Sequence, residues 1–198
     1  MSRVLLSLSL AFSLLAPIEA LDGRIQRAVQ DARRPWLEPV MRAASDVGQP
    51  KILFGALLAV AVFSGPAGPA TVRWTLATLI PTNLVVEGTK RAVNRTRPDG
   101  ESKRSNASFP SSHAANAFAV AAALTRRWPR FGWAMWPAAA LVAASRVYLN
   151  RHFTSDVLVG AAIGVASAYL VAWWVARRSA GQGPADIAGS GGDARREV

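Results

Sequence analysis

Six long apolar segments dominate this chain of 198 residues and limit what it can fold into. Hydrophobic residues make up 51% of the sequence, which exceeds what a soluble domain of this size needs for its core. The segments predict membrane-spanning helices, although several are shorter than the roughly 20 apolar residues that such a helix needs. In order, they are Val4 to Ile18, Ile52 to about Ala70, Thr71 to Val86, Ala114 to Leu124, Phe131 to Val147 and Val157 to Val175.

Alanine and glycine are frequent in these segments, and small residues allow helices to pack closely in lipid. The predicted fold class is therefore all-α, an integral membrane bundle of about six helices. Between Leu21 and Gln49 the apolar residues have helical spacing, with arginines among them and a break near Pro35. This segment is predicted to be an amphipathic helix along the membrane surface.

The first apolar segment has two interpretations. Arg3 before the apolar stretch and the small Ala20 after it are typical of a cleavable secretory signal, and the stretch could equally remain as a first transmembrane helix. The tail is rich in Gly, Ala, Ser and charge, which predicts disorder. The predicted division is 1–20 (first helix or signal), 21–49 (interfacial segment), 50–178 (transmembrane core) and 179–198 (disordered tail).

The formal net charge of the chain is +11, and it contains no cysteine. Its basic residues lie between apolar segments and form no stripe interleaved with aromatic residues, so the charge favours anionic lipid over nucleic acid as a partner. The lack of cysteine excludes disulfides, thiolate nucleophiles and cysteine-ligated metal sites.

Three polar motifs lie between the apolar segments, and they include the only two histidines of the chain. The motifs are Lys90 and Arg97-Pro98 with six residues between them, then Pro110-Ser111-Ser112-His113, and finally Ser145-Arg146 with His152 and Asp156. The order of the predicted helices brings all three motifs to the same face of the membrane.

Each motif suits the chemistry of a phosphate group. Lys90, Arg97 and Arg146 supply three positive groups for a phosphoryl group, whose charge is spread over its oxygens. Ser111 or Ser112 is a natural N-cap for the next helix, so free backbone N–H groups there form an anion site.

The two histidines suit two different roles. His152 and Asp156 are four residues apart, so on a wound helix the carboxylate can accept one ring N–H and leave the other nitrogen free to attack. His113 then remains to protonate the departing alkoxide and later to take a proton from water.

From Lys90 to Asp156 the chain resembles the type-2 phosphatidic acid phosphatase family, which shares its site with vanadium-dependent haloperoxidases and some bacterial acid phosphatases. The resemblance implies that His152 forms a phosphohistidine, that Asp156 orients it and that His113 is the general acid and base. It implies no metal or other cofactor for the hydrolysis. The phosphate ligands that it implies are Lys90, Arg97, Ser111 and Arg146.

One position departs from the family pattern. Ser112 stands where the family commonly has glycine, directly before His113. Its backbone N–H can still donate, so Ser112 stays among the predicted phosphate-binding residues, while its side chain narrows the pocket.

Other polar residues near the motifs are interpreted more simply. Arg95 and Arg151 are predicted either to be anchors at the membrane surface, because long basic side chains extend toward the head groups, or to attract an anionic head group loosely. Glu87 is predicted to pair with a nearby base, and Asn116 to be a structural hydrogen-bonding residue.

The resemblance implies a membrane phosphatase that acts on the phosphomonoester or diphosphate of a lipid. Phosphatidic acid, phosphatidylglycerol phosphate, polyprenyl diphosphate and lipid A offer the same reacting group. Two alternatives stay open: an acid phosphatase or haloperoxidase activity of the same superfamily, and a membrane protein that binds lipid without catalysis.

The side of the membrane is predicted from two opposing signals. The motif-bearing face carries 14 of the 23 Lys and Arg residues, which by the positive-inside rule favours the cytoplasm. However, three of these are predicted phosphate ligands and six lie in the interfacial segment or directly after it. A signal-like first segment directs the next part of the chain across the membrane, and the resemblance to bacterial proteins agrees. We therefore predict a bacterial inner membrane protein with its site on the periplasmic or extracytoplasmic face.

Overall fold

The structure is a computed structural model that describes residues 2–102 and 106–181. These residues form seven α-helices, with short 3-10 turns at Pro35–Leu37 and Pro129–Phe131, and they contain no strand. The all-α class is therefore confirmed for the described residues. The helices are α1 (Ser2–Asp31), α2 (Glu38–Val47), α3 (Pro50–Phe63), α4 (Ala67–Val93), α5 (Ser112–Arg127), α6 (Gly132–Tyr148) and α7 (Thr154–Gly181).

The second apolar segment differs from its prediction. It was expected to continue to about Ala70, but α3 ends at Phe63 and α4 begins at Ala67. Gly65 lies between them with a φ of +61°, a left-handed conformation that glycine adopts without steric cost, and Pro66 comes next. The helix therefore ends at a turn within the apolar segment.

Helix α1 is continuous across residue 20, so it joins the first apolar segment to the predicted interfacial segment. The chain leaves the helix after Asp31 and resumes with the turn at Pro35, at the predicted break. The end of α1 packs against the rest of the bundle, because Gln26 Nε2 donates to the Val147 carbonyl at 3.1 Å. Beyond Gly181, the predicted disordered tail lies outside the described residues.

Helix α5 lies at the centre of the bundle and contacts α4, α6 and α7. Its buried positions are mostly alanine, which allows its neighbours to approach closely. On α7, a Cβ atom at Gly160 would lie 2.5 Å from the Ser111 carbonyl oxygen, and one at Gly164 would lie 2.2 Å from that of Ala115. The backbones of α5 and α7 are therefore in direct contact, with the start of α5 beside the start of α7.

The outer surface of the bundle is apolar. Phe63 on α3 is 85% exposed, Leu84 on α4 is 70% exposed and Leu158 on α7 is 64% exposed. Among the described helices, Thr154–Arg178 has the length and mean hydropathy (25 residues, 1.8) to cross a membrane, and Pro35–Val47 with Pro50–Phe63 would form a second span bent by 63°. So much exposed apolar surface suits lipid better than water.

Candidate active site

The three motifs meet at one end of the bundle, around a cavity of about 350 Å³. Six of the eight predicted site residues line it: Lys90, Arg97, Ser112, His113, Arg146 and His152. The other two, Ser111 and Asp156, are fully buried and lie behind the cavity wall. The predicted convergence of the motifs on one face therefore agrees with the structure. The wall is completed by Gly48, Pro50, Asn83, Glu87, Asn106, Asn116 and Arg151.

Lys90 and Arg97 are buried cations with different surroundings. Lys90 Nζ lies 3.6 Å from Glu87 Oε1, one turn earlier on α4. Glu87 was predicted to pair with a nearby base, and Lys90 is that base. The guanidinium of Arg97 donates to the backbone carbonyls of Asn106 and Arg151 and to the Asn106 side chain. These bonds fix Arg97 in the loop that links α4 to α5.

Arg146, near the end of α6, has a buried N–H without a partner. Its Nη1 donates to the Ser45 hydroxyl on α2 at 2.5 Å, whereas its Nε has no hydrogen-bond partner within the described part of the chain. A buried donor without a partner costs about 1–3 kcal/mol. Arg146 as a residue lines the cavity, so its positive charge favours an anion there.

The two serines before His113 have different positions. Ser111 is the N-cap of α5, where its hydroxyl accepts from the Ala114 N–H at 3.4 Å, and its own N–H donates to the Asp156 carbonyl at 3.0 Å. Ser112 lines the cavity instead. Since the first N–H groups of a helix lack partners within it, the start of α5 presents anion-binding donors on this side.

His152 is buried in the loop between α6 and α7. Its Nδ1 lies 2.7 Å from the Ser108 carbonyl oxygen, and because a carbonyl only accepts, Nδ1 must carry the proton. Burial lowers the pKa of His152 to about 4, against the opposing charge of the Asp156 carboxylate. At neutral pH the ring is therefore neutral, with a free lone pair on Nε2.

The contact between His152 and Asp156 differs from the prediction. Asp156 Oδ2 lies 3.7 Å from His152 Nδ1, which is too far for a hydrogen bond. It accepts instead from the Ser108 hydroxyl and from the Phe153 N–H at 2.8 Å. The spacing of four residues does not bring the groups into contact because α7 begins at Thr154, after His152. Ser108 therefore links the two residues, because its hydroxyl donates to Asp156 and its carbonyl accepts from His152 Nδ1.

Arg95 is not the surface anchor that the sequence predicted. Its guanidinium lies between Asp156 Oδ1 at 2.7 Å and Asp22 Oδ2 at 2.9 Å, and 4.2 Å from the centre of the Phe153 ring. The prediction was wrong because α1 folds back over this end of the bundle and brings a carboxylate to Arg95. The sequence shows that Arg95 is basic, but it does not show that Asp22 would be its partner.

Three further residues contribute to the cavity wall. Asn83 on α4 donates to the Asn116 side chain on α5 at 2.9 Å, so Asn116 is a hydrogen-bonding residue as predicted and also lines the cavity. A Cβ atom on Gly48 would lie 2.9 Å from His113 Cδ2, so the end of α2 packs directly against that ring. Both contacts limit the movement of the wall.

The remaining predicted anchor, Arg151, is about half exposed and lies at the rim of the cavity. It pairs with Asp99 at 3.0 Å, which links the rim to the loop after α4.

In the described ranges, 2–102 and 106–181, no group of three or more His, Asp or Glu side chains has an arrangement that could hold a metal ion. The charged groups of the cavity are mainly cations, which favour an anionic ligand.

A family model described as the PAP2 superfamily matches residues 71–180, more than half of the chain, and this range includes all three motifs. The chain belongs to the PAP2 superfamily. The resemblance that the motifs indicated is therefore confirmed. The match extends from the beginning of α4 almost to the end of α7, so it covers the helices that carry the cavity as well as the motifs themselves.

Two curated relatives of this PAP2 protein are named for lipid substrates. Phosphatidylglycerophosphatase B of Bacillus subtilis (strain 168) is 32% identical over 192 residues, which covers 83% of this chain and 91% of that protein. A lipid A 1-phosphatase of Porphyromonas gingivalis is 38% identical over 93 residues, 45% of this chain. The second match spans only 20% of the length of that relative.

Two solved PAP2-like structures have the same fold. LpxE of Aquifex aeolicus superposes with a TM-score of 0.68 at 25% identity, over 76% of this chain and 94% of that one. A transmembrane PAP2-type phosphatidylglycerolphosphate phosphatase from Bacillus subtilis superposes with a TM-score of 0.67 at 26% identity. This match covers 87% of this chain and 96% of that one. Together with the exposed apolar surface, this similarity indicates a membrane location for the protein.

Proposed function

We propose that this protein is a membrane lipid phosphatase that hydrolyses the phosphomonoester or diphosphate of a lipid through a phosphohistidine on His152. The observation that carries the proposal is the cavity itself, where the cationic side chains of Lys90, Arg97 and Arg146 lie around a neutral, oriented His152. A phosphate group in the cavity would face these cations and accept attack from the His152 ring.

The reaction can be derived from the positions of these groups. Nε2 of His152 attacks phosphorus, a P–N bond forms, and the P–O bond to the lipid breaks. His113 gives its proton to the departing lipid oxygen, and the negative charge of the bound phosphate favours that protonated state. Water then attacks phosphorus, His113 takes its proton, and the P–N bond breaks to release inorganic phosphate.

The cations act on the charge that the phosphoryl group carries during transfer. Lys90, Arg97 and Arg146 face that charge with side chains held by neighbouring groups, so little rearrangement is needed when the substrate binds. The N–H groups at the start of α5 add to this stabilisation.

The lipid part of the substrate is proposed to lie along α3 and α4. Pro50 and Asn83 line the cavity on these helices, and Phe54 and Leu84 nearby in the sequence are exposed on the outer surface of the bundle. A lipid could therefore place its phosphate in the cavity while its chains stay in the bilayer. The names of the two curated relatives support a phospholipid or lipid A phosphate as the substrate class.

Purified protein in detergent is expected to release phosphate from lipids without added metal. The panel would contain phosphatidic acid, phosphatidylglycerol phosphate, a polyprenyl diphosphate and lipid A, each with and without a chelator, and vanadate should inhibit because it mimics five-coordinate phosphorus. Release from none of them would favour a lipid-binding protein without catalysis. Faster hydrolysis of water-soluble monoesters than of any lipid would favour the acid phosphatase alternative.

The membrane arrangement is also a proposal. Helices α1 and α3 to α7 would form the spanning bundle of six, with α2 at the membrane surface beside the cavity. The proposed division of the chain remains 1–20, 21–49, 50–178 and 179–198, with the part after residue 20 retained at the site because Asp22 and Gln26 are buried there. A bacterial inner membrane with the cavity on its periplasmic or extracytoplasmic face is the proposed location.

Because the chain has no cysteine, single cysteines can test this sidedness. Ser102→Cys would place one thiol on the exposed loop beside the cavity, and Arg130→Cys would place one on the exposed turn between α5 and α6 at the other end. In intact cells a membrane-impermeant maleimide is expected to label the first variant alone, with both labelled after permeabilisation. Labelling of only Arg130→Cys in intact cells would put the site in the cytoplasm.

A further inference from the structure

Asp22 is a buried carboxylate on α1 that lies outside all three motifs, with only 3% of its surface exposed. Its Oδ1 accepts from the Ser155 N–H at 2.9 Å, and its Oδ2 accepts from the Ser155 hydroxyl. Oδ2 also accepts from Arg95 Nη2 at 2.9 Å. A residue from the first helix is thereby bound to the first turn of α7, 133 residues later in the chain.

Arg95 connects this carboxylate to the one that orients His152. Its Nη2 bonds to Asp22, while its Nη1 bonds to Asp156 at 2.7 Å. Both carboxylates are almost completely buried and Arg95 is mostly buried, so their charges are weakly screened by solvent. The three side chains alternate in sign and together carry one negative charge. If Asp22 were absent, the positive charge of Arg95 would cancel the negative charge of Asp156, and the group would have no net charge.

We propose that Asp22 is a positioning residue for the reaction at His152. By neutralising Arg95, it leaves the negative charge of Asp156 available to the His152 ring. By holding Ser155, it also fixes the turn from which Asp156 extends. This inference rests on the proposed nucleophilic role of His152, since it concerns the charge that develops on that ring.

The ring needs this negative charge during transfer. When Nε2 bonds to phosphorus, both ring nitrogens become substituted, because Nδ1 keeps its proton toward Ser108, and the ring becomes cationic. Arg97 and Arg146 face the same region with positive charges that oppose this change. A buried group with one negative charge behind the ring therefore stabilises the phosphohistidine and the transition states on either side of it.

The first test removes the charge of Asp22 and keeps its shape. Asp22→Asn is expected to lower kcat about tenfold and to change KM less than twofold, because the proposed phosphate ligands are untouched. Asp31→Asn is the matched control, since Asp31 is an exposed carboxylate on the same helix. Wild-type phosphate release and its loss in His152→Ala are established first, so that failure of the proposed function is separate from failure of this inference. Equal kcat in Asp22→Asn and wild type would overturn the inference.

A second substitution separates the charge effect from a structural one. Arg95→Gln combined with Asp22→Asn restores one negative charge to the group, so the double variant is expected to have a higher kcat than Asp22→Asn alone. A purely structural role predicts the opposite, because two buried contacts are then lost. If the double variant does not fold, Asp22→Glu keeps the charge and should keep kcat within threefold of wild type. A kcat as low as that of Asp22→Asn would overturn the proposal.

Discussion

Replacing His152 with alanine is expected to lower the rate of phosphate release by at least about four orders of magnitude, because the attacking nitrogen is removed. Rapid acid or base quenching with a radiolabelled lipid phosphate measures the same step directly. Wild-type protein should carry base-stable, acid-labile label, and His152→Ala should carry none. Label that persists on His152→Ala would assign the nucleophile to another residue.

The variant must be shown to keep its fold for this result to be informative. Arg146, Lys90 and Arg97 are unchanged in His152→Ala, so vanadate or phosphate should still bind and should still raise its melting temperature in detergent. Unchanged anion binding with no turnover would separate the loss of chemistry from the loss of the site. Full activity of His152→Ala would contradict the proposed mechanism.

Replacing His113 with glutamine is expected to lower steady-state turnover of lipid substrates by roughly two to four orders of magnitude, because no group then protonates the leaving oxygen or activates water. The phosphohistidine should still form on His152, in contrast to His152→Ala. Since these are the only histidines of the chain, the pair of variants provides matched controls for each other.

An aryl phosphate such as p-nitrophenyl phosphate separates the two roles of His113. Its leaving group needs no proton, so His113→Gln should release about one equivalent of nitrophenol per protein in a burst and then turn over slowly. The burst is measured by stopped-flow absorbance and the slow phase by phosphate release. Loss of the burst would show that His113 acts in substrate binding or in the attack by His152, and would contradict its proposed role in proton transfer.

The sequence was sufficient to predict the helices and the meeting of the motifs. Hydrophobic segments indicate where helices cross the lipid, and the order of these segments determines which loops share a face. The placement of Lys90, His113 and His152 around one cavity could therefore be derived from topology. The boundary after Phe63 was missed because hydropathy does not distinguish an apolar turn from an apolar helix. Gly65-Pro66 was the local signal for it.

The contacts around His152 could not be predicted in the same way. Ser108 contacts His152 through its backbone carbonyl, which every residue has, and its hydroxyl donates to Asp156, 48 residues later in the chain, so no local pattern indicates either contact. Asp22 and Arg95 are ordinary charged residues whose partners lie far away in the chain. The contact predicted between His152 and Asp156 assumed a helix that had already begun, and its actual start at Thr154 depends on packing rather than on spacing.

The glycines of α7 determine more than the packing of two helices. Gly160 touches the carbonyl of Ser111, two residues before His113, while Asp156 and the loop with His152 come just before it in the chain. The gap between His152, the proposed nucleophile, and His113, the proposed proton donor, is therefore set by backbone contact, which cannot be compressed and has no side chain to repack. Membranes of different thickness can tilt or bend the outer helices, but we expect this pair to keep the same catalytic distance in all of them.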